Sequence, residues 1–223
     1  MELTKNQAIK TLRDGASWHG GDHKWSLPTL QPDGTYAAGE WTPTVAPSIC
    51  AKGWHLTTQP ALWWSHEGNV SAYLAEYDGA TSAREGEDKI AVERCRLLRP
   101  LTKSELESCG IFIDGKHVVK TGASYASGSA TVRAYGSATV TASDSATVTA
   151  SDSATVRAYG SAKTHTAGSA VCTAWSGTTL VLTRADNGVI IDRRGATTKT
   201  YCKRVGLDGW RYADGKWEQR AAK

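Results

Sequence analysis

The sequence predicts an α+β N-terminal domain over residues 1–119, an all-β solenoid of octad repeats over 120–178 and a small β-meander cap over 179–223. Three observations predict it. An eight-residue repeat runs from Gly128 to Trp175. Before it, two capping-box sequences alternate with strand-like segments, in the part of the chain that holds all six prolines. After it come short β-prone segments separated by turn dipeptides.

In the N-terminal part, Thr4-Lys-Asn-Gln7 reads as a capping box that opens a helix ending near Gly15. Ala16 to Pro47 is rich in Gly, Pro, Trp and Thr and reads as loops and short strands. Thr57 or Thr58 with Pro60 starts a short helix from Ala61 to His66, stopped by Gly68. Val70–Tyr77 is a strand ended by Asp78-Gly79, Arg84–Asp88 a charged loop, and Lys89–Leu98 a second strand. Thr102-Lys-Ser-Glu105 is a second capping box opening a short helix. Ile111 to Val119 reads as a hairpin with an Asp114-Gly115 turn.

The octads are GSATVRAY, GSATVTAS, DSATVTAS, DSATVRAY, GSAKTHTA and GSAVCTAW. A short fixed period means that each unit buries its apolar side only by stacking on its neighbours. Ala130, Val132 and Ala134 alternate with Thr131 and Arg133, so the Ala/Val set takes one face and the Thr/Arg set the other. Eight is even, so the same face stays inward in every unit. The Gly-Ser or Asp-Ser pairs supply turn chemistry. No large apolar side chain is inward, which calls for two closely approaching strand layers. Two octads per coil give three rungs, about 14 Å of stack. Three octads per coil give two rungs and pair Arg133 with Arg157 and Tyr135 with Tyr159, placing like charges side by side. An antiparallel meander is the third arrangement. Thr164, Cys172, Lys163, His165 and Trp175 degrade the last two octads, as terminal repeats often do. Lys120–Ser127 reads as a degenerate first coil. Beyond the repeat, Thr179–Thr183, Val189–Arg193, Thr197–Val205 and Trp210–Trp217 form the meander. Trp210, Tyr212 and Trp217 supply the large side chains the repeat lacks.

Composition bounds the rest. The 223 residues allow one sizeable domain plus an extension. No apolar run is long enough for a transmembrane helix, and the polar N-terminus lacks a signal-peptide core. Five scattered cysteines without a CxxC read as reduced thiols in a cytoplasmic protein. Net charge is +5 from Arg184 onward, +2 over Lys120–Trp175 and −3 elsewhere. Basic and acidic residues interleave and no nucleic-acid motif accompanies them, so nucleic acid is not an expected partner.

The segments Cys50-Ala-Lys-Gly-Trp-His-Leu-Thr-Thr, Ala72-Tyr-Leu-Ala-Glu-Tyr-Asp-Gly and Asp88-Lys-Ile-Ala carry a resemblance. The first half of the chain, with its repeat style, resembles bacteriophage and actinobacterial proteins that place a short Ala/Thr/Val repeat behind a domain of uncharacterised function. The resemblance implies a phage or mobile-element origin and a protein of the host cytoplasm or the virion. The order Gly-aromatic-His-Leu-Thr, short helix, strand is also similar to a stretch of ADP-ribosyltransferase-like folds. That likeness implies a nicotinamide-ribose contact at His55 beside Thr57 or Thr58. Glu76 and Glu93 are acidic candidates only by position, and the family's Glu-x-Glu or Gln-x-Glu pair is missing.

The candidate ligand-binding residues are Trp54, His55, Thr57, Tyr73 and Glu76, and the candidate interaction surface of the repeat is Arg133, Tyr135, Arg157 and Tyr159. Trp18, Trp25, Trp41 and Trp54 are types that build either an aromatic pocket or a core. His19-Gly-Gly-Asp22-His23 has metal-ligand types, but without a third ligand it reads as a polar loop. Cys50 and His55 read as structural rather than as a nucleophile–base pair. Thr139/Thr141 and Thr147/Thr149 recur as in ice-binding arrays but fit ordinary strand propensity. No cofactor and no metal are expected.

The expected function is non-enzymatic: a solenoid that scaffolds or oligomerises an N-terminal recognition domain against an unidentified protein partner. A small-ligand, nucleotide-like binder or host-defence antagonist is the second class. An ADP-ribosyltransferase-like enzyme is the third. Self-association as a homo-oligomer is expected because each inward Val contributes only ~1.5–3 kcal/mol, and Ala less, against ordering about fifty residues.

Overall fold

A computed structural model describes residues 1–17, 23–65, 67–84, 88–175, 177–182, 189–194, 199–202, 210–213 and 216–219. It is mostly β and divides into two units, Met1–Cys109 and Gly110–Lys223.

The described residues of the first unit contain β1 (Gln7–Arg13), β2 (Thr29–Leu30), β3 (Tyr36–Ala37), β4 (Trp54–Thr57), β5 (Val70–Ala83), β6 (Lys89–Pro100) and one α-helix, α1 (Lys103–Ser108). Strands β1, β4, β6 and β5 close into an antiparallel barrel. The expected first helix is therefore a strand. Gln7 does return its side chain to the Thr4 amide (3.2 Å), but the Gln7 amide donates to the Thr4 carbonyl (3.0 Å) and closes only a turn. Seven residues of β1 then pair with β5. Ala8 and Leu12 face the barrel interior, while Ile9 packs on the outer side with Leu74, Leu101 and Leu106. Burial on both faces overrides local helix preference. Asp14-Gly15, read as a helix stop, is a tight turn with both residues at positive φ and reciprocal Arg13–Ala16 backbone bonds.

Smaller departures follow the same logic. The short helix after Pro60 is a single 3₁₀ turn, Pro60–Trp63. Strand β5 runs past Asp78-Gly79 to Ala83 because a bulge absorbs Gly79 at φ 82°, and the Glu93 carboxylate accepts the Ala80 amide there (2.8 Å). The Thr102–Glu105 capping box does open α1. Arg99 forks onto Glu105 with two 2.7 Å bonds. The Arg99 bonds and the Thr102 groups hold the Glu105 carboxyl down at about 2. Its stabilisation is thus complete above the ordinary carboxylate pKa of 4.5 and is lost as pH falls from there towards 2. Glu105→Ala is expected to cost about 1–2 kcal/mol at neutral pH. In denaturant melts that difference shrinks below pH 4.5.

The second unit is a parallel stack from residue 111 to residue 192. Its strands are β7 (Ile111–Phe112), β8 (Lys116–Val119), β9 (Ala123–Ala126), β10 (Thr131–Ala134), β11 (Thr139–Ala142), β12 (Thr147–Ala150), β13 (Thr155–Ala158), β14 (Lys163–Thr166), β15 (Val171–Ala174), β16 (Thr179–Leu182) and β17 (Val189–Asp192). The even strands β8 to β16 form one parallel sheet and the odd strands β7 to β17 the other. Thr131 pairs with Thr147 and Thr139 with Thr155, so a coil takes two octads. Arg133 lies beside Thr149 and Val118, while Arg157 lies beside Thr141 and Thr173. The two guanidiniums occupy different sheets, and no like-charge ladder arises. The core is the inward Ala/Val set: Val132, Val140, Val148 and Val156 are each fully buried, as are the alanines around them.

The first residue of each octad is left-handed, including Asp144 (φ 53°) and Asp152 (φ 56°). Their carboxylates accept the Gly128 and Gly136 amides of the preceding coil, at 3.4 and 3.2 Å, which offsets the cost of a side chain there. Gly128 and Gly136 have no such latitude, since a Cβ would fall 2.5 Å from the Ile113 carbonyl oxygen and 2.7 Å from that of Lys120. In the degraded octads Thr164 and Cys172 fill the valine sites and meet across the core at 3.4 Å.

The expected hairpin at 111–119 does not form. β7 pairs with β9 and β8 with β10, so Asp114-Gly115 turns a coil corner. Nor are residues 179–182 and 189–192 a meander, because β16 and β17 continue the parallel sheets. Antiparallel pairing starts with β18 (Lys199–Cys202), which covers β17, and with a hairpin of β19 (Trp210–Ala213) and β20 (Lys216–Gln219). The side chains of Trp210, Tyr212 and Trp217 lie outside the described residues. No helix among the described residues is long and apolar enough to cross a membrane.

Candidate functional site

The groups that converge most closely lie inside the barrel. Period two along β1 puts Lys10 on the inward face between Ala8 and Leu12. Lys10 is only 7 % exposed. Its Nζ donates to the His55 carbonyl (3.1 Å) and stands 4.8 Å over the Trp25 ring. Trp25 packs edge-on against Trp54 at 5.6 Å, and His23 lies 5.3 Å from Trp25 and 4.5 Å from Trp54. The Trp54 indole N–H is fixed by the Pro43 carbonyl (2.8 Å) and that of Trp25 by Ser17 Oγ (3.0 Å). Residues 39–45 run along β6, with the Gly39, Thr42 and Val45 amides donating to the Leu97, Cys95 and Glu93 carbonyls.

Burial pushes Lys10 down to about 8. The neighbouring Cys95 thiol is pushed up to about 12 by burial and is neutral while Lys10 titrates, so it supplies no counter-charge. Burial, and then the Lys10 charge, lower His23 from its ordinary value. No carboxylate pairs with Lys10 among the described residues.

The five expected ligand-binding residues do not form one site. Trp54 and Tyr73 pack on the inner cluster. Alternation places His55, Thr57 and Glu76 on the other face of their strands. The His55 ring Nε2 accepts the Cys50 amide (3.1 Å), so that lone pair does not serve as base for the Cys50 thiol. Thr57 Oγ1 donates to the Asp88 carbonyl (2.8 Å) and accepts from the Gln59 amide (2.9 Å), tying down the turn into the 3₁₀ segment. Glu76 is ion-paired with Arg96, and Glu93 holds the β5 bulge. Of the four tryptophans considered for a pocket, Trp25 and Trp54 meet. Trp41 instead lies under Arg94 and Arg96, each 5.0 Å from its ring centre. Trp18, His19 and Asp22 lie outside the described residues. Cys50 is exposed, Cys109 is half-buried, Cys95 and Cys172 are buried, and these four thiols are free.

The repeat residues also separate. Arg133 and Arg157 are both exposed but on different sheets, and Tyr135 and Tyr159 follow strands of different sheets. Tyr159 stacks on Trp175 at 4.4 Å, with Arg193 5.8 Å over the Trp175 ring. Trp175, read as a break in the pattern, extends the Tyr159 column by one coil.

Sequence reasoning missed Lys10 because a helical reading sends it to solvent. The available signal was the alternation Ala8, Lys10, Leu12 against Ile9, Thr11. No family model, curated protein or solved structure matches the chain.

Proposed function

We propose that this is a non-enzymatic binding and structural protein of phage or mobile-element origin, in which the solenoid scaffolds or oligomerises an N-terminal recognition unit. The observation that carries this reading is the in-register parallel stack from residue 111 to residue 192, a rigid rod with flat faces. Its outward ladders present Thr131, Arg133, Thr147 and Thr149 on one sheet and Thr139, Thr141, Thr155 and Arg157 on the other. Such faces suit protein contacts and self-association. The engagement of Thr57, Glu76 and the His55 ring nitrogen in local bonds favours this reading over a transferase.

Native mass spectrometry at micromolar concentration tests it. A discrete homo-oligomer is expected. Arg133→Glu and Arg157→Glu probe opposite sheets, and the one on the contact face returns the protein to monomer. A wild-type protein that stays monomeric across that range removes the oligomerising role.

A further inference from the structure

We propose that the barrel of the first unit binds a small planar monocarboxylate, whose negative charge pairs with the Lys10 ammonium among Trp25, Trp54 and His23. The inference goes beyond the scaffold reading and stands on different residues. An ammonium carries three donors. Lys10 spends one on the His55 carbonyl and rests its charge on the Trp25 face, and among the described residues no carboxylate completes its shell. Buried charges in proteins are ordinarily paired, and an unpaired one is costly to keep. A group kept at such cost, under the Trp25 ring on which Trp54 and His23 pack, marks a site whose partner comes from outside.

Charge and shape narrow the ligand. One buried cation neutralises one negative charge, whereas a dianionic phosphate would leave an excess charge in an apolar barrel. The edge-to-face rings of Trp25, Trp54 and His23 favour a flat π-system over an aliphatic chain. His23 and Trp54 are only half-buried, so the solvent-facing side of the cluster lies at these two rings.

Benzoate is the probe, with acetate, inorganic phosphate and neutral benzamide as controls, read on the full chain by thermal shift and tryptophan fluorescence. Benzoate is expected to bind at least tenfold more tightly than any control. Lys10→Met is expected to raise the melting temperature of the ligand-free protein and to abolish the benzoate response. A variant that melts lower, or does not fold, makes Lys10 a structural residue and overturns the proposal, as does a benzoate response equal to that of benzamide or acetate. The wild type supplies a second test. The groups facing Lys10 are Cys95 on β6, His55 on β4, Tyr73 on β5 and the adjacent His23. Benzoate affinity should fall about tenfold per pH unit above about 8, as Lys10 loses its proton. A flat profile across that range overturns the proposal too.

Discussion

Replacing Val148 with aspartate is expected to unfold the solenoid, while the same replacement one residue on, at Thr149, leaves it folded. Val148 is fully buried at the centre of β12, between Val132 of β10 and Thr164 of β14. Apart from the Thr164 hydroxyl, which meets Cys172, the core around it is alanine and valine and offers a carboxylate no donor. An uncompensated buried charge costs more than about 4 kcal/mol, a large part of a typical domain stability of about 5–15 kcal/mol. Thr149 points outward and lies in the ladder between Arg133 and His165. An aspartate there stays hydrated beside a cation, and the change should be within about 0.5 kcal/mol. Circular-dichroism melts and limited proteolysis separate the two variants. Equal melting of Val148→Asp and wild type would place the core on the wrong face of the repeat.

Raising the pH from about 8 is expected to stabilise the first unit rather than weaken it. Lys10 is pushed down by burial from 10.5 to about 8. Below pH 8 it is protonated in both folded and unfolded chains, and the full cost of burying its charge is present. As pH rises towards 10.5 the folded chain releases this proton while the unfolded chain keeps it, so stability increases. At about 1.4 kcal/mol per tenfold change, the gain is about 3 kcal/mol. Cys95 acts the other way. Its thiol is raised from 9.0 to about 12, so the stability it contributes is present below pH 9 and lost as pH climbs through 12. Between pH 8 and 9 Lys10 dominates. Above that, the difference between wild type and Lys10→Met in urea melts isolates it. That difference should close by about 3 kcal/mol across pH 8 to 10.5, and a difference constant with pH would place the ammonium in contact with water.

Some elements were legible because their signal is local. The capping box at Thr102–Glu105 satisfies its own backbone within three residues and forms as read. The octads announce which side chains face inward, because a period of eight is even and a strand alternates by two. Trp25 and Trp54 were recognisable as types that gather, and they do.

Local conformation and facing follow from short stretches of the chain: turns at Asp-Gly and Gly-Ser, alternation in the strands, and an Ala/Val interior. Which strand met which was left to the tertiary structure. Thr4–Gln7 carried a helix signal, yet Ile9 and Leu12 each found a cluster on opposite faces of β1, and two-sided burial won. Asp114-Gly115 made its turn, but the flanking strands paired one coil onward, with β9 and β10, instead of with each other. The same octads accommodate two or three units per coil, and only the stack separates Arg133 from Arg157. Lys10 follows this rule as well: its residue type says surface, and barrel closure buries it. A short-range pattern says which residues share a face, but which strand pairs with which, and so whether both faces are buried, is set by groups distant in the chain.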